Sequence, residues 1–120
     1  MNGDVIRFEF PARPDYILAV RLVVSAIAER GGFVIEDIED LKVASAEACI
    51  LLLEAAPETI QIKLTVGDGI ALEFTALGQN GTRQEPSESL SQYLLEALVD
   101  DCEIIEDNGI FKSVRFQKKP

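Results

Sequence analysis

Polar and apolar residues alternate over residues 5–10, with Ile6, Phe8 and Phe10 on one side and Arg7 and Glu9 on the other. A period of two marks a half-buried strand. Pro11 and Pro14 end it, and Pro14-Asp15 opens a helix, because proline suits a first turn where its missing N–H is not needed. From Tyr16 to Arg30 the pattern changes to helical spacing. Leu18, Leu22, Ser25, Ala26 and Glu29 trace one side, and Ile17, Val20, Val24 and Ile27 run beside them. Gly31-Gly32 stops this helix, since glycine accepts the left-handed conformation that closes one. A second helix is expected from Glu36 to Ala56, with Glu36, Asp37, Glu39 and Asp40 near its positive end and Pro57 just beyond it.

Residues 59–66 and 70–77 alternate as two strands, joined by the hairpin turn Gly67-Asp68-Gly69. A polar loop covers 78–86. Ser89 and Gln92 form a capping box for a third helix, with Leu90, Tyr93, Leu94, Ala97 and Leu98 expected to face inward. Strands at 102–106 and 110–117 flank Asn108-Gly109, a strong hairpin signal, and Lys118, Lys119 and Pro120 remain as a tail. The order β-α-α-β-β-α-β-β describes an α+β two-layer sandwich: a mostly antiparallel mixed sheet with three helices on one face. One domain fills the 120 residues, without internal repeats.

Composition narrows the chemistry. A formal net charge of −10 argues against binding nucleic acid, whose affinity rests on Lys and Arg at phosphates, and against docking on anionic lipid. The chain has no histidine, which removes imidazole bases and His-ligated metal sites together. Cys49 and Cys102 have no metal-like spacing; they read as buried reduced thiols or as a disulfide. Asp100, Asp101, Glu103, Glu106 and Asp107 lack the spacing of a calcium loop and read as a solvated strand face. No signal peptide and no run long enough for a membrane helix is visible, so a cytoplasmic protein is expected.

Three stretches carry a resemblance: FPARPDYILAVRLVVSAIAERGGF (10–33), IEDLKVASAEAC (38–49) and SQYLLEALVDDCEI (91–104). In this order they resemble the RsbW and SpoIIAB type of anti-sigma factor serine kinase, in the GHKL ATPase superfamily with sensor histidine kinases, gyrase and MutL. The resemblance covers nearly the whole chain and implies a histidine-kinase-like (Bergerat-type) fold, ATP and magnesium as family cofactors, and a sigma factor or a STAS-domain antagonist as protein partner.

Measured against that family, the chemistry is eroded. The family's long helix carries Glu-x-x-x-Asn, a base and a magnesium ligand one turn apart. Glu47 matches the glutamate, but the asparagine position is Leu51, which offers no oxygen to a hard cation. The next residues, Leu52-Leu53-Glu54-Ala55, replace polar ones, and Leu51, Leu52 and Leu53 read as a plug in the nucleotide cavity. The adenine-binding Asp-x-Gly corresponds to Ala76-Leu77-Gly78. The glycine is kept, while losing the aspartate's acceptor costs about 1–3 kcal/mol of adenine recognition. The glycine-rich lid is cut to Gly78–Pro86 and followed by Ser87-Glu88-Ser89-Leu90-Ser91, without glycine.

The resemblance therefore implies a degenerate pseudokinase, with no ATP or magnesium bound, that regulates transcription or stress signalling in bacteria through protein partners. Glu47 and Gly78 are its catalytic and cofactor-binding remnants. Arg21, amid Leu18, Val20, Leu22, Val23 and Val24, matches a partner-binding arginine, with Asp15 and Tyr16 bordering that surface. A homodimer fits the family habit. The alternative is a divergent protein-serine kinase working through Glu47, with Asn80, Thr82 and Arg83 near the phosphates. A pocket rebuilt for another small ligand is a third reading.

Overall fold

The computed structural model describes residues 3–78 and 90–120. Five strands form one sheet: β1 (Asp4–Pro11), β2 (Thr59–Val66), β3 (Ile70–Leu77), β4 (Asp100–Asp107) and β5 (Ile110–Lys118), in the spatial order β1-β2-β3-β5-β4. Every ladder among them is antiparallel. Three helices, α1 (Ile17–Arg30), α2 (Ile35–Leu53) and α3 (Leu90–Leu98), complete the two-layer α+β sandwich in the expected order. A 3-10 turn over Pro14–Tyr16 leads into α1.

The alternation read from the sequence sets which way each strand faces. In β2, Ile60, Ile62, Leu64 and Val66 are buried; in β3, Ile70, Leu72, Phe74 and Ala76 are. These meet Leu41, Ala44, Ala48, Leu51 and Leu52 of α2 in one core. Alanines on the sheet side let α2 lie close to the strands, and α2 is the central helix, touching both α1 and α3.

Four boundaries or faces depart from the sequence reading. α2 stops at Leu53 rather than Ala56. Its last turn tightens, with Ala55 N–H and Ala56 N–H donating to the carbonyls of Leu52 and Leu53, and Ala56 turns left-handed at φ 49°. Pro57 is the cause, since a proline ring disfavours helical conformation in the residue before it. β4 begins at Asp100, two residues early, across an irregularity at Asp101, whose φ is 48°.

α3 is rotated from its expected face. Leu90 and Tyr93 are 71% and 59% exposed and Ala97 is also exposed, whereas Ser91 and Leu95 are buried and Leu94 and Leu98 half-buried. A polar residue centres the inner face because it has a half-buried acceptor on α2, Glu47, which hydrophobic patterning does not register. Ser89, the proposed cap, lies outside the described residues.

Lys118 is the fourth departure. Read as tail, it ends β5, opposite Ile70. Its side chain is largely buried, and Nζ donates to the Leu98 carbonyl at 2.8 Å and to Asp40 Oδ2 at 3.3 Å, with Asp37 Oδ1 at 3.9 Å. One ammonium thereby ties the end of β5 to the end of α3 and the start of α2.

The two cysteines are free, so the thiol reading holds. Cys49 is buried in the core and Cys102 only half-buried. Burial pushes the Cys49 thiol up from 9.0 to about 12, and burial followed by the nearby Glu96 charge raises Cys102. Above pH 9 the unfolded chain ionises its Cys49 thiol while the native state keeps the proton. Stability present below pH 9 is therefore lost as pH climbs toward 12, by about 1.4 kcal/mol at pH 10. Urea melts at pH 8 and pH 10 should show that much extra loss in the native chain relative to Cys49→Ala; equal losses would contradict it.

Candidate functional site

Three elements converge where the resemblance puts the chemistry: the middle of α2, the start of α3 and the end of β3. α2 supplies Glu47 and, one turn on, Leu51. Glu47 is half-buried, and Ser91 Oγ in the first turn of α3 donates to its Oε2 at 2.5 Å. The carboxylate thus sits at the positive end of α3, where negative charge is favoured. Glu47 here holds two helices together.

Leu51 and Leu52 are 0% exposed and belong to the same buried cluster as Ile60, Phe74, Ala76 and Leu95; Leu53 packs at its margin. Ala76 is buried at the end of β3. Gly78, next along, has φ 71°, and a Cβ there would fall 2.8 Å from the Glu58 side chain. The need for glycine is met by this turn alone. These residues do not supply two of the contacts that the resemblance implies: Leu51, at the cation position, is a methyl-capped side chain sealed in the core, and Ala76, at the adenine position, has no side-chain acceptor. The lid residues, including Asn80, Thr82, Arg83 and Glu88, lie outside the described residues. Among the described residues no cluster of acidic or thiol groups could hold a metal ion, and Asp100, Asp101, Glu103, Glu106 and Asp107 are all exposed.

Arg21 is half-buried on α1, and its Nε is closed off from solvent without an acceptor. Ser45 Oγ on α2 is buried and unpaired as well. A buried donor left unpaired costs about 1–3 kcal/mol. Asp15 and Tyr16 are exposed, but Tyr16 stacks on Phe10, ring centres 6.0 Å apart. Five residues on a helix turn well over a third of a circle, so Tyr16 and Arg21 do not share one face. The exposed neighbours of Arg21 are instead Leu18 and Leu22, 62% and 56% exposed. The sequence does hold a signal for them: α1 carries two apolar stripes, and only the one through Val20, Val24 and Ala28 can face the sheet.

An antiparallel sheet layered under three helices, with a glutamate in mid-helix facing the next helix's start, defines a GHKL-type domain. No family model matches the chain. It is, however, similar along most of its length to a set of curated kinases. Serine-protein kinase RsbW of Bacillus cereus strain G9842 is 28% identical over 129 aligned residues, covering 89% of this chain and 81% of that protein. Another Bacillus cereus strain's serine-protein kinase RsbW reaches 29% with the same coverage, and that of Bacillus thuringiensis strain Al Hakam 28%. This similarity over 89% of the chain supports an RsbW-type family member. None of its helices is long and apolar enough, among the described residues, to cross a membrane.

Proposed function

We propose that this chain is a cytoplasmic regulator that neither binds nor hydrolyses ATP and acts by binding a protein partner, a sigma factor or a STAS-domain anti-anti-sigma factor. The observation that carries it is Leu51, sealed in the core at the position where the family places its magnesium ligand. The engagement of Glu47 by Ser91 supports it. So does the length of the similarity, since a stretch of 129 aligned residues exceeds this chain's 120 and the relatives therefore carry residues that it lacks. A lid shortened to nine residues is one place for that difference.

The binding surface on this reading is the outer side of α1. Arg21 offers a planar cation to a carboxylate, and Leu18 and Leu22 offer apolar area around it. Asp15 borders it at the start of the helix.

The test has two arms. Calorimetric titration with Mg-ATP should give no heat and no melting shift; a shift that grows with nucleotide would show a working pocket. Phosphate transfer to a STAS-domain serine, abolished in Glu47→Gln, would establish the kinase reading in its place. In the second arm, Arg21→Ala should weaken binding of the cognate partner about tenfold to thirtyfold, or about 1.4–2 kcal/mol. Unchanged affinity would remove Arg21 from the interface.

A further inference from the structure

The buried residues of β2, β3 and β5 pack toward the helices, so their alternate positions lie on the opposite face of the sheet, which none of the three helices covers. The ladder registers set the side chains of that face in rows. One row is charged from edge to edge: Arg7, Lys63, Glu73, Arg115 and Glu103 stand opposite one another on β1, β2, β3, β5 and β4. In the next row Ala71 is flanked by Thr65 and Gln117. Its methyl group is the smallest side chain in the middle of the face, and it floors a shallow cavity of about 260 Å³.

β4 raises one wall of this cavity. Asp101 and Cys102 together stand opposite Phe116, between the pairs Asp100–Gln117 and Glu103–Arg115, and Asp101 takes a φ of 48°. An extra residue of this kind bends its strand and re-aims a side chain. Asp101 is thereby brought over the outer face, where Gln117 Nε2 donates to its Oδ2. Lys63 and Thr65 line the side toward β2.

The two sides differ in charge. Arg115 Nη2 donates to Glu103 Oε2 at 2.6 Å, and its Nη1 lies 3.8 Å from Glu73 Oε2. One guanidinium serves two carboxylates there, while Asp101 is held by a neutral amide, so the β4 side carries an excess of negative charge. Lys63, across the cavity, makes no ion pair or hydrogen bond among the described residues. Its cross-strand neighbour is Arg7, a like-charged arrangement that is unfavourable without an anion.

We propose that this cavity binds a small zwitterion of the amino-acid type. Its carboxylate rests on the Lys63 ammonium and the Thr65 hydroxyl, and its ammonium on Asp101. The backbones of β2 and β4 are three strand spacings apart, about 14 Å. The two side chains and their hydrogen bonds take up most of that span, which leaves a ligand a few bonds long. A simple anion leaves Asp101 unmatched, and a simple cation leaves Lys63 beside Arg7. The site lies on the face of the sheet away from Arg21 and stands or falls separately from the partner-binding reading.

Amide-shift titration of the nitrogen-15-labelled full chain tests this with the ω-amino acids from glycine to 6-aminohexanoate, beside butanoate and butylammonium as singly charged controls. At least one of the series should give saturable shifts at Lys63, Thr65, Ala71 and Gln117, with an affinity about tenfold or more above both controls. Lys63→Met and Asp101→Asn should each weaken it about tenfold, to the level of a singly charged control. Asparagine accepts the left-handed conformation of position 101, so the bulge is kept. Ala71→Leu, at an exposed strand position, should fill the cavity and abolish the shifts with the melting temperature unchanged. Three outcomes overturn the assignment: no saturable shift across the series, butanoate bound as tightly as the best zwitterion, or an Ala71→Leu chain that binds like the native one.

Discussion

Leu51→Asn, which restores the family's residue at the magnesium position, is expected to damage the fold and to restore no nucleotide binding. Leu51 is fully buried beside Leu52, Phe74 and Leu95. The change removes a packed side chain, a loss of about 2–5 kcal/mol for leucine truncations, although asparagine refills part of the volume. It also buries an amide whose partners are not in place, at about 1–3 kcal/mol. A net loss of about 4 kcal/mol is a large share of the stability of a domain this size. Thermal melting should show a midpoint lower by about 15 °C. A shift of a degree or two, with Mg-ATP binding gained, would mean that the position opens to a cavity, and the pseudokinase reading would fall.

Lys118→Met is expected to have the second largest effect on stability, about 2–3 kcal/mol, from the scale of hydrogen bonds to charged groups. The variant keeps the aliphatic stem and deletes the ammonium. Asp37 and Asp40 then face each other near the start of α2 without a cation, and the Leu98 carbonyl loses its donor. Because the group is largely shielded, added salt should remove little of the difference, unlike a surface pair. Urea denaturation of both proteins at low and high salt measures this. A loss below about 0.5 kcal/mol would place Lys118 among ordinary surface lysines.

The elements most legible in the sequence were those whose period reports a single environment. β2 and β3 alternate with large apolar residues at every second position, so their buried faces could be read directly, as could the turn at Gly67–Gly69. What could not be read was set by contacts between distant residues. α3 turns Ser91 inward for the sake of Glu47, forty-four positions earlier. Lys118 looks like tail until Asp40, seventy-eight positions away, is beside it. At the candidate site the residue types were legible, since a leucine in place of asparagine excludes a magnesium ligand by chemistry alone. The surroundings of Arg21 were not, because an apolar stripe looks the same whether it faces a core or an unfilled surface.

The topology of the sheet also bears on how the chain reaches its native state. β2 pairs with β3, and β4 with β5, across tight turns, and such hairpins close in microseconds. β1 is made first but must wait for β2, with both helices between them; Glu9 and Thr59, whose side chains are hydrogen-bonded in the finished fold, are 50 residues apart. Closing so long a segment carries an entropic cost that only the assembled core repays, so docking of β1 belongs late in folding. Until then Ile6, Phe8 and Phe10 form a short unpaired strand with two open edges, and this segment is where a stalled or truncated chain would begin to aggregate.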